Sequence, residues 1–299
     1  MIDPLALGAT LYMPATRTDL AARAYGGAIP GLRSCVVCLE DSVRIDEVPQ
    51  ALANLHALLA GLPESARAYI FVRPRDPAML AGILCMPGAD RLAGFVLPKV
   101  TPETLPLWLC QALAPSHCVM PTLETREAFD AHEMHRLRDQ LLAVQDRVPA
   151  IRIGGNDLLQ CLGLRRAPHR TLYEGPLGTL VATLAGMFLP HGFALSAPVM
   201  ESYDDPQLLR VEFTRDLEHG LTSKTAIHPV QLPVIHAALA VSSADLAEAG
   251  SILSADAPAV FGRTGRMCEP ATHRRWAEAI NQRALLYGVA DPLPIARQA

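Results

Sequence analysis

Charged and polar side chains recur in this sequence directly after short apolar segments that are typical of β-strands. These residues are Arg17, Glu40, Asp41, Arg73, Lys99, Glu124, Asp157 and His228. Buried charges are costly unless they are paired or bind a metal, so stability alone does not explain why both signs recur at strand ends. The pattern therefore predicts a ligand site that is built from the ends of several strands.

Two of these carboxylates, Glu124 and Asp157, follow consecutive predicted strands, and we expect them to converge on one cation. Two carboxylates completed by water and substrate oxygens suit Mg²⁺ or Mn²⁺, which accept hard oxygen ligands. The alternative is that Glu124 caps the next helix and Asp157 caps a short helix over residues 158–163. Gly154 and Gly155 either let the backbone approach a ligand closely or simply form a left-handed turn.

Two cations end the third and fourth predicted strands. The planar guanidinium of Arg73 suits a carboxylate or a phosphate, although a salt bridge to Glu40 or Asp41 explains it equally well. Lys99 would form a Schiff base if burial lowered its pKa, or else it balances the charge of the nearby carboxylates. The spacing leaves a chemical and a structural role open for each cation.

Three further sets of residues suggest chemistry but have simpler explanations. His132 and His135 lack the one-turn spacing of a helical zinc motif, so we expect an exposed helix face. Cys35 and Cys38 lie three residues apart in a predicted strand and therefore point to opposite faces of the sheet. The basic loop 165–170 either meets an anionic part of a substrate or is solvated.

Eight short, β-branched, apolar segments alternate with longer helical patterns. The predicted strands cover residues 8–15, 34–40, 68–73, 93–99, 118–124, 150–155, 192–199 and 223–228. Continuously apolar strands indicate a parallel sheet covered on its outer face, and eight β/α repeats close a TIM barrel. An open doubly wound sheet is the alternative, but the sequence has no Gly-x-Gly-x-x-Gly motif. We expect an α/β protein with a (β/α)8 TIM barrel over residues 1–241 and a C-terminal helical arm over residues 242–299, packed on a neighbouring subunit.

The composition limits the classes of partner. The 299-residue chain has 26 Lys and Arg against 30 Asp and Glu, and 50% of its residues are hydrophobic. This balance argues against nucleic acid as a partner and against disorder. Pro and Gly interrupt the two charge-free stretches of membrane-spanning length, residues 104–123 and 175–200, so we expect no membrane partner. The seven cysteines and the lack of a basic, apolar leader make the cytoplasm the expected compartment.

Seven short motifs follow one another along nearly the whole chain. They are residues 11–17 (Leu-Tyr-Met-Pro-Ala-Thr-Arg), 37–43 (Val-Cys-Leu-Glu-Asp-Ser-Val), 71–76 (Phe-Val-Arg-Pro-Arg-Asp), 94–100 (Gly-Phe-Val-Leu-Pro-Lys-Val), 121–125 (Pro-Thr-Leu-Glu-Thr), 153–158 (Ile-Gly-Gly-Asn-Asp-Leu) and 220–231 (Gly-Leu-Thr-Ser-Lys-Thr-Ala-Ile-His-Pro-Val-Gln). In number and order they resemble the motifs of the citrate lyase β-subunit-like family, which includes malyl-CoA and citramalyl-CoA lyases.

The resemblance implies a role for most residues at the strand ends. Glu124 and Asp157 would be the Mg²⁺ ligands, and Arg73 would hold the carboxylate and keto group of the substrate. Glu40 and Asp41 would order water around the metal. These implied roles agree with the metal site expected from the two carboxylates alone.

The remaining predicted site residues have supporting roles. The resemblance implies that Lys99 balances the charge of the pocket, and we expect Arg17, Gly154 and Gly155 to contact the substrate. Residues 262–270 resemble the segment through which the family supplies an acidic residue to a neighbouring subunit, and Glu269 stands where aspartate is usual. A homo-oligomer, with a trimer favoured, is therefore implied.

The implied function is a Mg²⁺-dependent carbon–carbon lyase or aldolase, of retro-aldol or Claisen type and without a Schiff base. Its substrate would be a small keto or hydroxy acid or the acyl-CoA thioester of one. The alternatives are an enzyme for phosphoenolpyruvate or another phosphorylated substrate on the same scaffold, and a barrel that binds a keto acid without turnover. Cys38, Pro74 and Glu269 depart from the usual motifs, and the acyl carrier stays open.

Overall fold

The structure is a computed structural model that describes residues 2–25, 27–63, 66–111, 113–114 and 116–290. Eight short strands form its framework. Named β1 to β8 in chain order, they are Ala9–Pro14, Ser34–Cys38, Tyr69–Arg73, Gly94–Leu97, Cys118–Leu123, Ile151–Ile153, Leu195–Ala197 and Ser223–Ala226. Each strand lies inside a segment that the sequence predicts.

The eight strands form a closed parallel barrel in sequence order. β1 pairs with β2 from Thr10↔Ser34 onward, and β8 returns to β1 with Ala9 opposite Lys224. The predicted TIM barrel is therefore confirmed, and the open doubly wound sheet is wrong. Because all strands are parallel, their carboxyl ends meet at one face of the barrel.

The observed strands end earlier than the predicted ones. Glu40 and Lys99 each lie two residues beyond a strand, and Glu124 lies one residue beyond β5. Lys99 has a φ of 50°, which no residue of a β-ladder adopts. The polar residues at these ends therefore occupy the loops that leave the barrel.

Apolar side chains fill the lower part of the barrel interior. The buried cluster there consists of Leu7, Val36, Phe71, Val96, Cys118, Met120 and Ala150. Side chains alternate along each strand, so Cys38 shares the inner face with Val36, whereas the Cys35 thiol lies 3.9 Å from the Ala24 carbonyl outside the barrel. This placement confirms that the two cysteines point to opposite faces.

Helices cover the outer face of the barrel and continue beyond it. The described helices, named α1 to α12, are Pro4–Leu7, Leu20–Ala24, Val48–Ala60, Pro77–Leu84, Leu105–Leu109, Ala131–Leu142, Gly155–Cys161, Pro176–Phe188, Pro206–Glu218, Gln231–Leu239, Ser243–Leu253 and Pro270–Tyr287. Local signals fix several helix starts. Before α4 and α9, Asp76 and Asp205 accept hydrogen bonds from the first-turn amides, and a proline follows each aspartate.

The chain divides into two compact units, residues 1–233 and 234–299. In the second unit, α11 and α12 share a small core with an antiparallel pair of strands, β9 (Phe261–Arg263) and β10 (Arg266–Cys268). The sequence did not predict this pair. The predicted domain boundary at residue 241 stays a prediction, and residues 291–299 of the predicted arm lie outside the described residues.

None of the helices that the structure describes has both the length and the apolar character of a bilayer-spanning segment. His132 and His135 are exposed on α6, as the sequence predicts.

Candidate active site

A cavity of about 410 Å³ opens at the carboxyl ends of the strands. Its lining includes seven of the predicted site residues: Glu40, Asp41, Arg73, Glu124, Gly154, Gly155 and Asp157. The barrel brings these residues together because each follows or ends a parallel strand. The cavity is therefore the candidate active site.

Arg73, the last residue of β3, is the buried centre of the charged network. Its Nη2 atom donates to Glu40 Oε2 at 2.7 Å and to Glu124 Oε1 at 2.9 Å, and its Nε atom also donates to Glu40 Oε2 at 3.1 Å. Burial alone would raise the pKa of Glu40, but the Arg73 charge together with the hydrogen bonds from Asp41 and Lys99 outweighs burial and lowers the pKa to about 2. Glu40 therefore remains a carboxylate that anchors Arg73.

Lys99 contacts this network from the next loop. Its Nζ atom donates to Glu40 and, at 3.2 Å, to Asp41 Oδ1. Partial burial would lower the pKa of Lys99, but Glu40 and Asp41 raise it above its ordinary value. The ammonium is thus held in its charged form, which supports charge balance rather than the Schiff-base alternative.

Glu124 is only 3% exposed and is held by one oxygen. Its Oε1 atom accepts hydrogen bonds from Arg73 Nη2 and from the Lys99 backbone N–H, the latter at 2.7 Å. Within the described part of the chain, Oε2 has no hydrogen-bond partner. Burial raises the pKa of Glu124 to about 7 against the pull of Arg73, and the Asp157 charge adds to the increase. A cation beside Glu124 would offset both effects.

Gly154 and α7 place the second carboxylate close to the first. A Cβ atom on Gly154 would lie 2.5 Å from Glu124 Oε2, so the glycine is needed for this close approach. Asp157 lies in the first turn of α7, which begins at Gly155. The helix-capping alternative is therefore wrong for Asp157, and it is also wrong for Glu124, because Thr125 occupies the N-cap of the following 3₁₀ helix.

The donor set of this site fits a hard divalent cation. Glu124 Oε2 and the Asp157 carboxylate share one cavity, which has room for water and substrate oxygens. Among the described residues, no group of three or more His, Cys, Asp and Glu side chains could hold a metal. Mg²⁺ commonly uses only one or two protein carboxylates and keeps several waters, so the pair is a sufficient protein contribution.

Two predicted site residues lie elsewhere in the structure. The Arg17 guanidinium pairs with Asp19 through bonds of 2.8 and 2.9 Å and does not line the cavity. Glu269 belongs to the second unit, where it precedes α12 and its Oε2 atom accepts from Thr272 at 3.2 Å. Their roles at the substrate and in a neighbouring subunit stay predictions.

The basic loop after α7 contains one mostly buried and two exposed arginines, and its contact with an anionic part of a substrate stays a prediction. Arg165 and Arg170 are exposed and line a second cavity of about 150 Å³, which shares Gly155 with the first. Arg166 is instead mostly buried and pairs with Glu212 of α9. Arg166 therefore has a structural role, whereas the exposed arginines are solvated at the edge of a cavity.

Four further residues, which the sequence did not indicate, lie deeper in the first cavity. Tyr12, Thr122, Arg152 and Thr225 all line it below the charged network. The available signal was Arg152, a charged residue in the middle of an apolar strand. Thr122 lies two residues before Glu124 and therefore shares its face of the strand.

Comparisons with known proteins agree with the fold. A (3S)-malyl-CoA thioesterase of Cereibacter sphaeroides is 27% identical over 238 residues, which cover 79% of this chain and 78% of that protein. Protein CitE of Mycobacterium tuberculosis, solved with magnesium, acetoacetate and coenzyme A, aligns with a TM-score of 0.69 at 24% identity, covering 93% and 97% of the two chains.

A citrate lyase from Burkholderia xenovorans LB400 aligns with a TM-score of 0.71 at 20% identity, covering 96% of this chain and 94% of that one. At these identities the two solved structures support the barrel fold. The family model described as C–C bond lyase of the TIM-barrel fold matches residues 1–289. The chain therefore belongs to this family of carbon–carbon bond lyases, which confirms its resemblance to citrate lyase β-subunit-like enzymes.

Proposed function

We propose that this enzyme is a Mg²⁺-dependent lyase that cleaves or forms a carbon–carbon bond in a small keto or hydroxy acid, or in the acyl-CoA thioester of one. The observation that carries the proposal is the asymmetry of Glu124. Arg73 and the Lys99 backbone fix Oε1, while Oε2 faces Gly154 beside Asp157 without a hydrogen bond. A carboxylate held in this way presents one oriented oxygen to a cation.

Each residue of the site has a separate role in this proposal. Glu124 and Asp157 would hold the metal, which when bound would stabilise the enolate charge that develops as the carbon–carbon bond breaks or forms. Arg73 lines the cavity and uses only Nε and Nη2 in its hydrogen bonds to Glu40, Asp41 and Glu124. Its Nη1 atom is therefore the donor that remains for a substrate carboxylate.

The proton step is proposed to use a carboxylate from outside the barrel. Glu269 of a neighbouring copy of the chain, in a homotrimer, would exchange the proton with the substrate. Glu40 and Asp41 would order water around the metal, since both line the cavity. A subunit that supplies Glu269 in trans makes activity depend on assembly.

The ligands of the related proteins support the substrate class. Coenzyme A and acetoacetate were bound to CitE of M. tuberculosis together with magnesium, and the relative from C. sphaeroides is named for a malyl-CoA thioester. Acetoacetate is a short keto acid, and malyl-CoA is the thioester of a short hydroxy acid. We therefore propose 2-keto-4-hydroxy acids and short hydroxyacyl-CoA thioesters as the compounds to test first.

The experiment compares wild type with Glu124→Gln and Asp157→Asn in Mg²⁺ and in EDTA. Calorimetry measures Mg²⁺ binding, and NMR of the products measures cleavage of 2-keto-4-hydroxy acids, malyl-CoA and citramalyl-CoA. We expect both variants to lose Mg²⁺ binding and turnover. The matched control is Glu133→Gln on α6, which removes a carboxylate that pairs with the exposed Arg136 and should leave both measurements unchanged.

Three results would contradict the proposal. Metal-independent turnover with borohydride trapping at Lys99 would indicate a Schiff-base aldolase. Turnover restricted to phosphorylated substrates would indicate phosphoenolpyruvate-type chemistry. Tight keto-acid binding without product in any metal would indicate a binding protein.

A further inference from the structure

A layer of polar side chains crosses the barrel interior below the charged network. Thr122 of β5 is in register with Arg152 of β6, and Arg152 is in register with Ser196 of β7. All three are at most 2% exposed. Buried polar groups need hydrogen-bond partners. Those groups of the layer that lack a partner within the described protein therefore indicate what kind of ligand the layer can bind.

Arg152 is a buried cation that has no carboxylate partner among the described residues. Three cationic side chains are buried in the part of the chain that the structure describes: Arg73, Arg152 and Lys224. Arg73 pairs with Glu40 and Glu124, and Lys224 pairs with two carboxylates of α9. No ion pair among the described residues includes Arg152, although an unpaired buried cation is costly.

The described contacts of the Arg152 guanidinium are all neutral. Its Nη2 atom donates to the Thr225 hydroxyl at 2.5 Å, its Nη1 atom lies 4.0 Å from the Met120 sulfur, and its centre lies 5.2 Å from the centre of the Tyr12 ring. A guanidinium has five N–H donors, so these contacts leave capacity for an anion. Arg152 lines the cavity, which gives an anion access to it.

A second orphaned group lies beside Arg152. The Thr122 hydroxyl is buried and, within the described residues, has no hydrogen-bond partner, yet Thr122 lines the same cavity. A hydroxyl can donate to a carboxylate oxygen. The Ser196 hydroxyl on the other side of Arg152 is also unpartnered, but Ser196 is not part of the cavity lining. Thr122 and Arg152 thus form a cationic, donor-rich floor.

We propose that Arg152 and Thr122 form a second anion subsite at the floor of the cavity, which binds a distal carboxylate of the substrate. The substrate is then a keto acid with an acidic group at each end. Its keto-acid end would lie at Glu124 and Asp157, so this inference rests on the proposed function for that end. Thr122 precedes Glu124 by two residues, so the backbones of the two positions are about 6.6 Å apart along the barrel. Side chains that reach into the cavity from both positions suit a short keto diacid.

The test uses pairs of keto acids that differ only at the far end. Oxaloacetate and 2-oxobutyrate each have four carbons, and 2-oxoglutarate and 2-oxovalerate each have five, with a carboxylate replacing a methyl group in the first of each pair. Calorimetry in Mg²⁺ gives the ratio of the dissociation constants within a pair. We expect wild type to prefer a diacid by about tenfold to a hundredfold, as hydrogen bonds to charged groups provide.

Substitutions of the floor residues test whether Arg152 and Thr122 cause the preference for a diacid. In Arg152→Met the ratio should fall towards one, and the melting temperature should not fall, because an apolar side chain replaces an unpaired buried cation. In Thr122→Val the ratio should fall by about threefold to tenfold, the range expected for one hydrogen bond. The matched control is Ser196→Ala, which removes the other unpartnered hydroxyl of the layer outside the cavity and should keep the wild-type ratio.

The same titrations separate this inference from the proposed function. Equal affinity of wild type for both members of each pair, no binding of any of them, or an undiminished preference in Arg152→Met would overturn the floor subsite. The role of the metal is tested by comparing the affinity for 2-oxovalerate in Mg²⁺ with the affinity in EDTA. A diacid preference that persists in EDTA, with no effect of Mg²⁺ on 2-oxovalerate, would support the floor subsite and contradict the metal-dependent function.

Discussion

Replacing Gly154 with alanine would place a methyl group where the Glu124 carboxylate lies. The new Cβ atom would be 2.5 Å from both Cβ and Oε2 of Glu124, about 0.9 Å short of the 3.4 Å at which ordinary contact begins. The φ angle of Gly154 is −87°, so alanine meets no left-handed backbone penalty there. Glu124 must therefore move by about 1 Å.

This displacement should weaken the metal site much more than the fold. A misplacement of about 1 Å at a reacting centre can lower turnover about a hundredfold, and we expect that loss together with weaker Mg²⁺ binding in calorimetry. Overpacking of a filled interior costs about 1–3 kcal/mol, which urea denaturation can measure. The variant should remain folded and become a poor metal binder.

The control is Gly186→Ala in the last turn of α8, where a Cβ atom meets nothing within 4 Å. Alanine there should raise the free energy of unfolding by about 1 kcal/mol through helix propensity and leave Mg²⁺ binding unchanged. Wild-type Mg²⁺ affinity and turnover in Gly154→Ala would refute the reasoning, because the Glu124 position would then not matter to either.

Three further substitutions test the charge arrangement. Arg73→Met leaves Glu40 and Glu124 buried without their cation, so the free energy of unfolding in urea should fall by about 3–5 kcal/mol; wild-type stability would contradict the ion-pair account. Lys224→Met should cause a similar loss, because two carboxylates of α9 lose their partner, and an unchanged urea midpoint would count against it. Burial lowers the pKa of His117 below its ordinary 6.5. The neutral ring therefore contributes fully to stability above about pH 6.5, and this contribution is lost as the pH falls towards the lowered pKa. His117→Gln should therefore flatten the fall in unfolding free energy between pH 7 and pH 5, and a fall as steep as that of wild type would exclude His117 as its cause.

The barrel was predictable because its strands are short, continuous runs of apolar residues. The carboxyl ends of the strands were less predictable. The sequence places Lys99 in a strand, but its backbone is left-handed and β4 ends two residues earlier. The antiparallel pair β9 and β10 was missed because each strand has only three residues. Runs of three are too short to show an alternating pattern.

The candidate site was predictable where polar residues end strands. Arg152 was missed because it lies inside an apolar strand. That it has no carboxylate partner in the described part of the chain becomes visible only when all strands are assembled. Arg17 follows a predicted strand by two residues but pairs with Asp19. This local interaction cannot be inferred from the spacing of the other strands. The role proposed for Glu269 requires a neighbouring copy of the chain, and the periodicity of a single chain cannot indicate such a contact.

The left-handed backbone of Lys99 has a consequence for directed evolution. Glycine adopts this conformation without the cost that a side chain adds, and the Lys99 backbone N–H that holds Glu124 would survive the change to glycine. A library selected only for thermal stability should therefore accumulate glycine at position 99. A library selected for turnover should keep a cation at position 99. The residue found at this position would therefore distinguish selection for stability from selection for turnover.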